Sequence, residues 1–596
     1  MTVVPHRPCT RALAAAALLV GSLASATASA AEICVDAAAA GGGDGSRAAP
    51  FGSIVDALAA AQASDEIRVA GGDYVGSLNV LVTSISIDGG YAGDGDFDAR
   101  DPAAYPTSVM ADGGDAITLV DAGDVQLRGL RISDGVHGVF AEGFPFESHS
   151  LTIEACIIEG NGDPSIVGAG LYAGVPTIVR ESVVRDNVGD KGAGISGEGD
   201  LTIVGSIIEG NVGHGDHGGG IYAFGDLVVE RSIIRNNRIG ETAGYGWGGG
   251  LILFGNGSVG TLRGNLVTGN YAPLSGSGEF FDDGAQVLVE NELVVSNLCG
   301  TDNGAGMYVD GLDDVGSEVD LVNVTIADHP CASEGNALLV ERNSTVTIVS
   351  SVIWANGPGS FAVNDGTIVT SFSDVEGGAD GEGNLDVDPL FGDVQAGDFH
   401  LRSMNGRPDA SGSCVVDGES SPAIDAGDPA ASVGLEPEPN GGRIDMGAYG
   451  GTSLASCDPG SATVATTGVS STSESATTGG PASTSSTGMP NGAGNGGAGN
   501  GGAGNGGAGN GGAGNGGAGN GGAGKGNGGA GNGGANASGA GNGNGGAGSA
   551  AAADGGAEDE GCGCEVVGAS HAPTPWLALH AIAVAAAAFV ARRRAR

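Results

Sequence analysis

Eight times between Leu151 and Asn356 the chain repeats one short phrase: an alternating apolar run, a kinked apolar pair and a closing Asn or Asp, as in LTIVGSIIEGN at 201–211. The closing residues are Asn161, Asn187, Asn211, Asn237, Asn270, Asn297, Asp328 and Asn356, so successive copies lie 26, 24, 26, 33, 27, 31 and 28 residues apart. That period belongs to solenoids, in which each repeat buries its apolar face only against its neighbours. Within a phrase the period is two, that of a strand. Eight residues before the closing residue stand Ile153, Val179, Ile203, Val229, Leu262 and Val289, and three before it stand Ile158, Val184, Ile208, Ile234, Val267 and Val294. With strands about 4.8 Å apart, each column should stack inside, residue over residue. The Asn at each bend is expected to take a left-handed conformation and bond to neighbouring backbone. Gly-rich triplets at 168–170, 192–194, 218–220 and 248–250 allow a second sharp turn. Strand-like residues follow each triplet, which rules out a nucleotide-binding loop.

Charge and the chain ends give the setting. Lys and Arg total 23 against 70 Asp and Glu, a formal net charge of −47, and a surface this acidic repels nucleic acid. His6, Arg7 and Arg11, the apolar run 12–20 and Ala28-Ser29-Ala30 have the plan of a signal peptide. Export permits disulfides. The expected pairs are Cys299 with Cys331, in adjacent repeat loops, and Cys414 with Cys457, which would close the last segment. Cys156 sits where other copies have Ser and reads as a buried thiol.

Ala49-Pro50-Phe51, Ile54 and Ala57-Leu58 resemble the opening segment of bacterial right-handed parallel β-helix proteins, where a short helix caps the first coil. Ile54, Val55, Leu58 and Ala61 are read as its apolar face. DVDPLFGDVQAGDFHLRSMNGR, SPAIDAGDP and GGRIDMGAYGG resemble the terminal segment of the same proteins, so the likeness runs over roughly 32–451. The resemblance implies an all-β, pectate-lyase-like solenoid, a scaffold that hosts lyases, hydrolases, adhesins and proteins without activity. The expected organisation is a signal peptide (1–31), cap and first coils (32–125), β-helix repeats (126–376) and an end segment (377–457). A disordered Ser/Thr- then GGAGN-rich linker (458–560) and a tail (561–596) follow. The tail joins Gly561-Cys562-Gly563-Cys564 to a hydrophobic helix over 576–591 and an Arg cluster, and resembles the sorting tails of myxobacterial surface proteins, the MYXO-CTERM type. That resemblance implies cutting near the Cys motif and anchoring through a modified Cys562 or Cys564 at the cell surface or outer membrane. The plain alternative is an uncleaved membrane anchor.

Outward positions carry charge: Glu159, Arg185, Glu209 and Arg235 alternate without a break in one column, and Glu154, Arg180, Val204, Glu230, Arg263 and Glu290 stand in another. Opposite charges one coil apart read as ion pairs between strands, and a groove neutralised in this way makes a poor lyase site. Asp94, Asp96, Asp98 and Asp101 have calcium-loop spacing without the Gly and Glu of an EF-hand. His214, Asp216 and His217 are a ligand-bearing loop. In both, ordinary solvated loops are the preferred reading, and no cofactor is required. The sequence thus points to a non-catalytic surface protein in adhesion, matrix or surface structure, with polysaccharide or extracellular matrix as partner. An extracellular polysaccharide lyase or glycoside hydrolase on the same scaffold is the alternative.

Overall fold

A computed structural model describes residues 30–459 apart from 40, 83, 121–122, 143–149, 302–303, 313, 330 and 333–334. Three long parallel sheets run through it, and the chain visits them in turn. One coil is Leu201–Val204 in the first sheet, Ile207–Glu209 in the second and Ile221–Ala223 in the third. The third sheet has 11 strands, one for each complete coil, from Leu78–Val80 to Phe361–Asn364. Pairing is residue on residue: Ile153, Val179, Ile203, Val229, Leu262 and Val289 lie in one register, and Ile158, Val184, Ile208 and Ile234 in another. All are fully buried, each contributing on the order of 1.5–3 kcal/mol by leaving water.

Two tight corners turn the chain without loops. After the first-sheet strand a single residue adopts positive φ, among them Ala155, Glu181, Gly205, Arg231 and Gly264, at 48–63°. The next side chain enters the interior, where Ser182, Ser206 and Ser232 each accept the backbone N–H one coil back at 3.1–3.2 Å. After the second-sheet strand, Gly160, Asp186, Gly210, Asn236 and Gly269 take positive φ. The Asn expected to do so is instead the following residue, turned inward and buried. Asn211 Oδ1 accepts from both the backbone N–H and the side-chain amide of Asn187, at 3.1 and 3.0 Å, and its own amide donates to Val184 O. The same bonds link Asn161, Asn187, Asn211, Asn237, Asn270 and Asn297. His329, not Asp328, continues the row, accepting from Asn297 at Nε2 and donating from Nδ1 to Asn356. Burial pushes its pKa down to about 4, which keeps this relay neutral. Before the third-sheet strands that begin at Leu171, Ile195, Ile221 and Leu251 the Gly-rich triplet fits under the next coil. Gly218 has φ 64°, and a Cβ on Gly220 would stand 2.5 Å from Gly250 O.

At the N-terminal end the helix Ile54–Ala60 lies over the first coil, its start capped by Ser53 Oγ, which accepts from Asp56 N. The face it buries is Ile54, Ala57, Leu58 and Ala61. Val55, expected on that face, is 52% exposed, because the i, i+3, i+4, i+7 pattern and not i+1 follows one side of a helix. Between Gly90 and Asp124 the strand Asp96–Arg100 folds antiparallel onto Tyr91–Gly93, and Thr107–Met110 and Ile117–Val120 supply the coil. The C-terminal segment does not continue the stack. It returns alongside, and Phe391, Phe399, Ala423, Met446 and Ala448 cover Ile233, Leu266, Leu293 and Val352 on the outside of the second sheet. Asn291 Nδ2 donates to Ala448 O and Gly450 O, and Ala448 N to Thr325 Oγ1. Cys414 and Cys457 are joined within this strap, and Cys299 and Cys331 between successive coils.

Candidate functional site

Each sheet turns one face outward. On the first, Arg128 bridges Asp88 (3.2 Å) and Glu154 (3.5 Å), Arg180 reaches Glu154 (2.9 Å) and Arg263 reaches Glu290 (2.8 Å). On the second, Arg185 meets Glu159 (2.8 Å) and Arg235 meets Glu209 (2.7 Å), and beyond these the strap covers the sheet. The pairs are partly exposed and worth a few tenths of a kcal/mol each. They neutralise much of the outward charge between Arg128 and Glu290, while Glu318 and Asp320 stand exposed further along the first sheet.

The third sheet is different. Alternation puts the middle residue of each three-residue strand outside, and register aligns Phe140, Tyr172, Ser196, Tyr222, Ile252, Phe280 and Tyr308. Phe280 and Tyr308 stack at 4.5 Å and 6°, both buried. Further back along the stack, loop residues join the column. His217 stacks on Trp247 at 5.4 Å, Tyr245 meets Trp247 at 6.2 Å, and Phe254 lies 6.4 Å from Tyr222 and 5.9 Å from Phe224. Phe224 and Tyr245 are 39% and 48% exposed. In a chain with 14 Phe, 9 Tyr and 3 Trp, five such rings within 222–254 form a concentrated patch.

Carboxylates surround these rings. Burial pushes the Tyr222 hydroxyl up to about 12, with Glu198, Asp216, Asp283 and Asp282 adding to it. Asp216 accepts from His217 Nδ1 at 2.8 Å and pairs with Lys191 at 2.6 Å. Burial alone would raise its pKa, but these two donors outweigh it and hold the carboxylate ionised. Asp282 is pushed up to about 7 by burial first, then by Asp283 and Asp310. Tyr308 Oη lies 2.7 Å from Asp310 and 2.8 Å from Glu341, and Arg342 pairs with Asp310 at 3.0 Å.

Of the loop expected to ligate a metal, Asp216 and His217 meet, while His214 turns away to Thr242 Oγ1. Asp94, Asp96, Asp98 and Asp101 do not converge. Asp96 Oδ1 accepts from the N–H groups of Asp98 and Ala99, Asp101 Oδ1 from those of Ala103 and Ala104, and Asp98 pairs with Arg47. Among the described residues no group of three or more His, Cys, Asp and Glu is arranged to hold a metal ion. Cys34 and Cys156 are free and buried. Cys562, Cys564 and the hydrophobic stretch 576–591 lie outside the described residues, among which no helix is long and apolar enough to cross a membrane. The ring patch escaped the sequence reading. Its signal was present only in part: two residues after the four Gly-rich triplets come Tyr172, Ser196, Tyr222 and Ile252, so Ser196 and Ile252 interrupt the series of rings.

Residues 191–375 match the family described as right handed beta helix region, and residues 354–427 the one described as disaggregatase related. No curated protein matches the chain. Among solved structures, the crystal structure of pectate lyase Pel9A is similar over 71% of this chain and 96% of its own, with 15% identity and a TM-score of 0.38. The fold is an all-β, right-handed parallel β-helix.

Proposed function

We propose that this is an exported β-helix displayed at the cell surface, which holds an extracellular polysaccharide without turning it over. The observation that carries the reading is the ring patch on and beside the third sheet, in which Phe224 and Tyr245 are exposed and Tyr222, Trp247 and Phe254 are partly buried. Rigid rings offer apolar area to the C–H faces of sugars, while carboxylates around them accept hydroxyl hydrogens. The nearby bases Lys191 and Arg342 already bear on Asp216 and Asp310, so neither is placed as a free proton acceptor. Export rests on the signal-peptide plan before Ala31, and anchoring on Cys562, Cys564 and the Arg-rich tail. A glycan array probed with the full chain is expected to give a saturable glycan signal without product release. No binding to any glycan would remove the reading. Mass spectrometry of the cell-associated protein is expected to find the C-terminus cut near Cys562; a terminus at Arg596 would mean that the tail is not processed.

A polysaccharide lyase or glycoside hydrolase on the same scaffold is supported by one observation. Asp282, held partly protonated near neutrality beside Asp283 and Asp310, has the pKa that a general acid requires. Chain cleavage in a polysaccharide screen, abolished by Asp282→Asn, would favour this reading.

A further inference from the structure

Resting on the glycan-binding reading, we propose that the ring patch takes an amino-sugar chain in its protonated, cationic form. The rings stand over two neighbouring coils: His217 and Tyr222 belong to one, Trp247 and Phe254 to the next, and His217 pairs with Trp247 across the gap. No described segment covers Phe224 or Tyr245.

Charge selects among sugars. Exposed Glu198 follows Gly197, whose carbonyl accepts from Phe224 N–H. Asp282 lies in register with Phe254, with half-buried Asp283 next to it, while Asp216 is already paired with Lys191 and His217. A uronate or sulfated chain brought here would meet carboxylates, whose field reaches about 10 Å at 0.1 M salt. An ammonium would meet the same carboxylates and the electron-rich ring faces, two attractions that add. An amino sugar carries ring face and ammonium on one rigid unit, so little freedom is lost on binding. A lysine side chain brings a lone ammonium on a flexible stem and leaves most of the ring area uncovered.

The test is a calorimetric titration of the full chain with glucosamine oligosaccharide, its N-acetylated counterpart, polygalacturonate and polylysine, with tryptophan fluorescence as a second signal. The glucosamine oligosaccharide is expected to bind at least tenfold more tightly than the acetylated one, to weaken as salt rises, and to perturb Trp247 emission. Phe224→Ser and Tyr245→Ser, both at exposed positions, should each weaken it severalfold, and Glu198→Gln likewise. Equal or tighter binding of the acetylated or uronate chain would overturn the charge assignment and leave glycan binding standing. Competition by polylysine at equal strength would overturn the sugar assignment. Binding unchanged in all three variants would overturn the location. If nothing binds, both this inference and the reading beneath it fail.

Discussion

Glu279 stands where other coils put Leu171, Ile195, Ile221, Leu251 and Met307, pointing into the interior of the third sheet. Glu292 stands where others put the inward Ser, and receives Asn265 Nδ2 at 3.1 Å. Both are fully buried, and each acts on the other's titration. The groups that perturb them are burial, each other and the Asn265 amide, with no cation among them. Burial first, and then the partner carboxylate, drives Glu279 well above the usual range, and burial pushes Glu292 up to about 7. Burial of two carboxyls that repel each other favours the protonated form of both. Folded pKa values above the unfolded one mean that the folded chain binds more protons. The associated stability is therefore present below about pH 4.5 and is lost as pH rises through 7. Glu279→Gln, which keeps the shape of the side chain and removes its ionisable group, is expected to match the parent at pH 5 and to unfold less readily at pH 8, by about 1–3 kcal/mol. Thermal melts of the two proteins from pH 5 to 9 check this, and parallel curves would rule out the raised pKa of Glu279. The pair was not legible in the sequence, because SGSGEFFDDG presents Glu279 beside a Gly turn, where acidic residues are ordinarily solvated.

At the level of the coil, stability lies in inner columns and in the buried Asn row. Asn237 illustrates the row: it accepts two N–H bonds from Asn211 and donates to Ile208 O and Asn270 Oδ1. Asn237→Ala leaves several buried partners unsatisfied and should cost at least about 1–3 kcal/mol, read as a lower thermal midpoint. A surface change in the same coil, Arg238→Ala, should cost less than about 1 kcal/mol. The period and the inward columns could be read directly, since strand alternation fixes which side chains share a face. The corner could not. Asn236 and Asn237 are adjacent and alike, yet Asn236 bears φ 57° and Asn237 enters the core. Likewise Asp328 bears the positive φ and His329 takes the buried place. Propensity names the bend without saying which of its two residues turns in.

The largest departure from the sequence reading is the strap. Its motifs identify a terminal segment, but that it packs on Ile233, Leu266 and Leu293 depends on contacts more than a hundred residues apart, which no local pattern encodes. The Cys414–Cys457 bond closes a separation of 43 residues within it. Replacing both by Ser should loosen the strap by about 2–4 kcal/mol, seen as earlier proteolysis between 390 and 450 with the coils still folded. Unchanged protection would show that packing alone holds it. The ring patch, too, could be found only once register had brought strand and loop residues together.

The stacked charges bear on a hazard peculiar to repetitive chains, that a folding coil is skipped and the next one docks in its place. The inner columns of Ile153 and Ile158 would tolerate the error, since Ile, Val and Leu follow one another there. The outer column would not. Looping out 162–187 seats Glu159 on Glu209, and looping out 188–211 seats Arg185 on Arg235, in place of the registered opposite pairs. Like charges directly opposite one another are destabilising, so in this column each such error carries a penalty that the correct order does not. The first error gains nothing elsewhere, whereas looping out 188–211 also seats Arg180 on Glu230. Contacts too weak to hold the finished coils together are well suited to proofreading the order in which they assemble.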